Sequence, residues 1–187
     1  MRLDKFLVEC GIGSRTEVKT VLLSGQVRVN GAIVKSQKEK INEIEDKITY
    51  KNNELKYKEF RYYIMNKPSG YITATEDDRE KTVMDVLPEW VIKKDLFPVG
   101  RLDKDTEGLL LFTNNGKLSH ELLSPKKHVN KTYEVHLKEN ISDEDILQLE
   151  KGVTILDGYF TKEAKVDKIE DKIVNLTITE GKYHQVK

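Results

Sequence analysis

Apolar side chains open this chain at helical spacing: Leu3, Phe6, Leu7 and Cys10 recur within LDKFLVEC. GIG breaks the run, and Ser14 stands where a second helix needs its cap. In that helix, RTEVKTVLLS, Val18, Val21 and Leu22 fall on one face, while Arg15 and Lys19 share another at i, i+4. Gly25 marks its stop. The period then changes to two. VRVNGAIV reads as two short strands about Asn30-Gly31, a tight-hairpin signal. IEDKITY predicts a further strand, and KNNELKYKEF a polar connector. Residues 1–58 therefore read as a compact helix–helix–hairpin unit.

From Phe60 the texture is mixed. FRYYIMNKPSGYI predicts a strand, a turn over Lys67, Pro68, Ser69 and Gly70, then more strand. Thr82 is placed to cap a short helix, VMDVL, ended before Pro88. LFPVGRL and GLLLFTN predict strands on either side of a charged loop. NGKLSHELLSP predicts a helix that buries Leu118, Leu122 and Leu123. KTYEVHL alternates as a strand, and SDEDILQLEKG is a capped helix ending at Gly152. TKEAKVDKIE and KIVNLTITEG form a closing hairpin about Asp171-Lys172, and Trp90 is expected in the core or at a lobe boundary. Strands without regular βαβ alternation predict an α+β fold over residues 59–187: a mixed, largely antiparallel sheet flanked by helices.

Composition narrows the class. Of 187 residues, 37% are apolar and 34% charged, enough for a core and for a small module beside a larger domain. No apolar run is long enough to span a bilayer, and the start lacks a cationic segment followed by a long apolar one. Neither a membrane span nor a secretory signal is expected. Cys10 is the lone cysteine, which excludes an internal disulfide and fits a reducing cytoplasm. His120, His128, His136 and His184 lack metal-ligand spacing, so no metal site is expected. Formal net charge is zero, yet residues 1–40 hold 8 Lys/Arg against 4 Asp/Glu. That basic piece points to a polyanionic partner, with a merely solvated surface as the alternative.

Candidate chemistry concentrates in GRLDKDTEGLLLF, Gly100 to Phe112, where Asp103, Asp105 and Glu107 crowd beside Arg101 and Lys104. The start matches a calcium loop, but Asn114 falls where a bidentate carboxylate is required and the flanks read as strands. A charged turn serving solubility is the second reading. Against it, Asp103 sits between Arg101 and Lys104 at a strand end, a setting that suits an ionised, nucleophilic carboxylate. Charge and spacing do not separate Asp103 from Asp105.

Two resemblances complete the reading. RLDKFL, the following SR and SGQVRVNGAIV are similar to the S4 RNA-binding domain, of the α-L type. GRLDKDTEGLLLFTN, with NKPSG, KTYEV and EGKYHQVK in order, resembles the S4-domain pseudouridine synthases, specifically the RsuA branch that acts on 16S ribosomal RNA. The resemblance implies an N-terminal S4 domain over 1–58 and a pseudouridine synthase catalytic domain over 59–187. It implies that Arg2, Lys5, Arg15, Lys19 and Arg28 face structured RNA, gripping phosphates and reading helix shape.

The same resemblance makes Asp103 the catalytic carboxylate acting on a flipped-out uridine. Three routes are open to it: attack at the sugar C1′, attack at the base C6, or abstraction of the C2′ proton. Arg101 would hold the extruded RNA, Tyr133 would pack on the uracil, and Lys187 would pair with Asp103. By pattern alone Tyr133 is a core residue, sharing a strand face with Val135 and Leu137. Lys67 to Gly70 read as architectural, and His184 and Gln185 as support for the site. The reaction implied requires no cofactor. The expected partner is ribosomal RNA, as 16S rRNA or a small-subunit assembly intermediate, bound by a cytoplasmic monomer. A catalytically silent rRNA-binding or assembly factor, or a synthase acting on 23S rRNA, are the alternatives. Because the closing motif breaks off at HQVK, the chain reads as C-terminally truncated.

Overall fold

Helix α1, Leu3–Glu9, buries Leu3, Phe6 and Leu7, the apolar positions its spacing predicts. Helix α2, Arg15–Leu23, starts in a capping box in which Ser14 accepts from the Glu17 N–H and Glu17 reaches back to the Ser14 N–H. Its buried residues are Val18 and Leu22. Strands β1 (Val27–Val29), β2 (Ala32–Ile33), β3 (Ile48–Tyr50) and β4 (Asn53–Leu55) form an antiparallel sheet in the order β2-β1-β3-β4. Asn30 and Gly31 both take positive φ (52° and 87°), the two-residue turn that matches strand twist. Lys51 and Asn52 repeat the device (φ 48° and 65°) and turn the expected polar connector into β4. The missed strand has only three residues and no apolar alternation. Val27, Ile41 and Ile48 join the helix residues in one core cluster.

The computed structural model describes residues 1–187 and divides them into two compact units, Met1–Asn115 and Gly116–Lys187. The first unit contains a second sheet besides the one above. Strand β7 (Gly108–Thr113) lies between β5 (Tyr62–Lys67) and the two-residue β6 (Phe97–Pro98), all antiparallel. Leu110 and Phe112 are buried with Val83, Met84, Leu87, Val91 and Leu96. Three expectations need correction here. VMDVL is a turn rather than a helix: Thr82 does accept from the Met84 N–H at 3.2 Å, but five residues before Pro88 cannot complete a costly nucleus. The strand expected after Gly70 shrinks to a single parallel bridge, Ile72 with Thr82. Trp90 is 73% exposed and leans on Tyr63 with ring centroids 5.9 Å apart.

In the second unit, α3 (Gly116–Leu123) buries Ser119, while Leu123 is 40% exposed rather than buried. Strand β10 (Ile173–Ile178) is flanked by β8 (Lys131–His136) and β9 (Lys165–Glu170), antiparallel on both sides. Helix α4, Asp143–Lys151, begins in the capping box of Ser142 and Asp145 and ends at Gly152, φ 103°. Ile141, Val166 and Val174 form this unit's core with Val135 and Leu137 packed against them. Antiparallel sheets with flanking helices make the fold α+β, as the pattern predicts. The synthase part divides its strands between two sheets rather than one.

Candidate active site

The loop from Arg101 to Glu107 belongs to no strand or helix, so its backbone groups need partners from elsewhere. Lys67, last residue of β5, supplies them. Its side chain is fully buried, and its ammonium donates to the carbonyls of Asp103 (3.0 Å), Lys104 (3.1 Å), Thr106 (2.8 Å) and Pro68 (3.2 Å). Three N–H donors thus serve four acceptors. Burial pushes the Lys67 pKa down from 10.5, and Asp105, Glu107 and Asp103 oppose that shift. The residues after Lys67 finish the attachment. Gly70 N–H donates to Lys104 O at 2.8 Å, with Gly70 at φ 92° where only glycine turns freely. Thr73 Oγ1 donates to Leu102 O at 2.7 Å and accepts from Leu102 N–H at 3.1 Å. NKPSGYIT is therefore the cradle of the charged loop.

Within that cradle Asp103 is half-buried and Arg101 is exposed at the loop's start. The Lys104 ammonium is paired with Glu80 at 2.6 Å. The buried charge under the loop is Lys67. Asn114, where the calcium pattern failed, ties the far end of β7: its Oδ1 accepts from Arg61 N–H and its Nδ2 donates to Glu59 O, both at 2.8 Å.

Two further residues of the sequence reading, Tyr133 and Lys187, lie in the second unit. Tyr133 is half-buried on β8, opposite Leu176 of β10. It shares a face with Val135 and Leu137, which pack on the core cluster. Lys187 is exposed and ends a turn in which its N–H donates to His184 O at 3.2 Å. Glu180, 4% exposed, organises this segment. It accepts from the Tyr159 hydroxyl (2.9 Å), the Lys162 N–H (2.8 Å) and Gln185 Nε2 (3.0 Å). Burial acts to raise the Glu180 pKa, but these three donors outweigh it and hold it below 4.5. The sequence reading passed over Glu180. An acid opening a block that continues into Gln185 was the available signal.

The five cations at the N-terminus are all exposed. Lys5, Arg15 and Lys19 project from the two helices. Arg28 Nη1 donates to Gly31 O at 3.0 Å, bracing the hairpin. Arg2 is engaged by Asp4, with Nη2 to Oδ2 at 2.7 Å and Nε to Oδ1 at 3.0 Å.

A helix–helix–hairpin module ahead of an α+β part with a cradled aspartate loop defines a class. Residues 61–187 match the RNA pseudouridylate synthase family and residues 1–48 match the S4 domain, so the chain belongs to the RNA pseudouridine synthases that carry an S4 domain. Among similar proteins is YtzG of Bacillus subtilis (strain 168), an uncharacterised RNA pseudouridine synthase. It is 54% identical over 191 residues, which cover 100% of this chain and 80% of that protein. Ribosomal small subunit pseudouridine synthase A of Escherichia coli (strain K12) is 40% identical over 189 residues, covering 100% and 81%. A solved crystal structure of a pseudouridylate synthase aligns at a TM-score of 0.63 and 36% identity, over 100% of this chain and 80% of that one.

Proposed function

We propose that this synthase isomerises a specific uridine of 16S ribosomal RNA, with Asp103 as its catalytic carboxylate. The observation that carries the reading is the cradle: a buried ammonium holds the Asp103 backbone, so the carboxylate is carried on a fixed loop. The small-subunit target is supported by relatives such as the Yersinia pestis ribosomal small subunit pseudouridine synthase A, 42% identical over the whole chain. The N1–C1′ bond breaks, the uracil turns, and C5 bonds to C1′ as the C5 proton leaves and N1 gains one. Asp103 serves this by bonding C1′, by bonding C6, or by taking the C2′ proton. Arg101 holds the extruded strand, Tyr133 packs on the base, and Lys187 pairs with the Asp103 carboxylate. The functional division falls near residue 58, with residues 1–58 gripping rRNA phosphates through Arg2, Lys5, Arg15, Lys19 and Arg28. The protein acts as a cytoplasmic monomer.

Tritium release from 16S transcript labelled at uridine C5 tests this directly. Wild type should release tritium, and Asp103→Asn should lower the rate by at least roughly 10²-fold. Equal rates would remove Asp103 from the chemistry. Release from 23S but not 16S transcript would overturn the target, and none from either would leave a silent rRNA-binding factor.

A further inference from the structure

A second buried cation, Arg61, has no part in the Asp103 cradle. It lies at the entry to β5 and is 5% exposed. Its Nη1 donates to Glu9 O at 3.1 Å and its Nη2 to Lys94 O at 2.8 Å. Its Nε is buried with no partner. Glu9 ends α1, where the last carbonyls lack intrahelical donors and carry the negative end of the helix dipole. A guanidinium is suited to that place. The Glu9 carboxylate is taken in turn by the Lys94 ammonium. Glu9 is therefore held twice, at its carbonyl by Arg61 and at its side chain by Lys94. Two residues on, Gly11 (φ 76°) runs so close to Ile92 that a Cβ there would sit 2.8 Å from Cγ1. All these contacts lie inside the first unit. All join the helical N-terminal module to the part of the chain that carries β5 and the Asp103 loop. A free tether between the two would not need a buried guanidinium, whose desolvation is costly unless it organises something.

We propose that Arg61 and the Glu9–Lys94 pair form a clasp that sets the orientation of the RNA-gripping module relative to the Asp103 loop. Arg61 and Lys94 are then positioning residues for substrate choice. The module seats on structured RNA, and the clasp decides which uridine, at what distance from that seat, reaches Asp103. The substrate half of this inference rests on the rRNA reading above; the orientation half does not.

Because Arg61 itself sits where its loss could unfold the unit, the test uses the more exposed pair. Glu9→Lys, Lys94→Glu and the double swap are compared with wild type on a long 16S fragment and on a short hairpin containing only the modified uridine. On the long RNA each single reversal should raise KM roughly three- to tenfold at unchanged kcat, and the swap should restore it. On the hairpin all four proteins should match. Equal losses on both RNAs, or a swap that fails to rescue, would overturn the positioning role. In parallel, spin labels at Ser36→Cys and Asp78→Cys in a Cys10→Ser background report the distance between the two parts. A single narrow distance in wild type and swap, broadened in Lys94→Glu, upholds the clasp. A distribution equally broad in wild type overturns it. Narrow and broadened distances in a protein that modifies no rRNA would keep the clasp and sink the rRNA reading instead.

Discussion

Two buried ions organise two segments by opposite means. Lys67 sits beneath the Asp103 loop and gathers carbonyls, while Glu180 sits beneath the closing segment and gathers donors. Every partner of Lys67 is backbone, so the lysine fixes the path of the main chain in a loop that has no ladder of its own. Two of the three partners of Glu180 are side chains, Tyr159 and Gln185, so the glutamate fixes side-chain directions around a turn. Burying an ion costs free energy, and full hydrogen bonding returns most of it without a large surplus. What each ion contributes is a single arrangement of its segment. The Asp103 loop is thereby held through its backbone, and the 180–187 segment through a network that acid can titrate.

Removing the cation should do the greater damage. Lys67→Met keeps the length of the side chain and loses the ammonium. Asp103 O and Lys104 O retain second donors, Thr106 N–H and Gly70 N–H, but Pro68 O and Thr106 O lose theirs. We expect a loss of roughly 2–5 kcal/mol in urea denaturation, with kcat falling more than KM rises. Wild-type stability in this variant would break the comparison at its first term.

Glu180→Gln should cost less, about 1–3 kcal/mol, since one amide oxygen replaces a carboxylate that serves three donors. This effect has a pH signature. The folded pKa of Glu180 lies below its ordinary 4.5, so its stabilisation is fully present above 4.5 and is lost as pH falls through the folded value. The stability gap between wild type and Glu180→Gln, followed by thermal unfolding, should therefore shrink in acid. A gap that widened there would reverse the sign of the argument. The smallest effect belongs to Ser69→Ala. Its Oγ reaches Asp105 O at 3.4 Å on the surface, and its loss should stay within about 0.5 kcal/mol by the same measurement. A larger cost would mean that the cradle is shared along the segment and not concentrated in Lys67.

Legibility follows the range of the interaction. Ser14 with Glu17, Ser142 with Asp145, Asn30-Gly31 and the Asp171-Lys172 hairpin act within four residues, and each stands where the pattern places it. VMDVL failed because a plausible cap does not supply enough residues to nucleate a helix. The core reading of Trp90 failed because bulk and aromaticity suggest burial, while its neighbours leave it on the surface. The Asp103 loop was visible as a charge cluster, yet charge and spacing left Asp103 and Asp105 equal. The structure adds that Asp103 is half-buried and Asp105 exposed.

By itself, the sequence determined most of the elements, the α+β class and the basic N-terminal module. Local rules suffice for these, because caps, turns and periodicity act between residues a few positions apart. Only the tertiary structure decided what Lys67, Arg61 and Glu180 do. Lysine, arginine and glutamate are surface residues by default, and nothing near Lys67 or Arg61 in the chain announces that they will be buried. Their partners stand far along the chain: Lys67 meets Thr106, Arg61 meets Glu9, and Glu180 meets Tyr159. Folding brings unpaired carbonyls and donors to them, and that satisfaction of otherwise orphaned polar groups holds three buried charges in place.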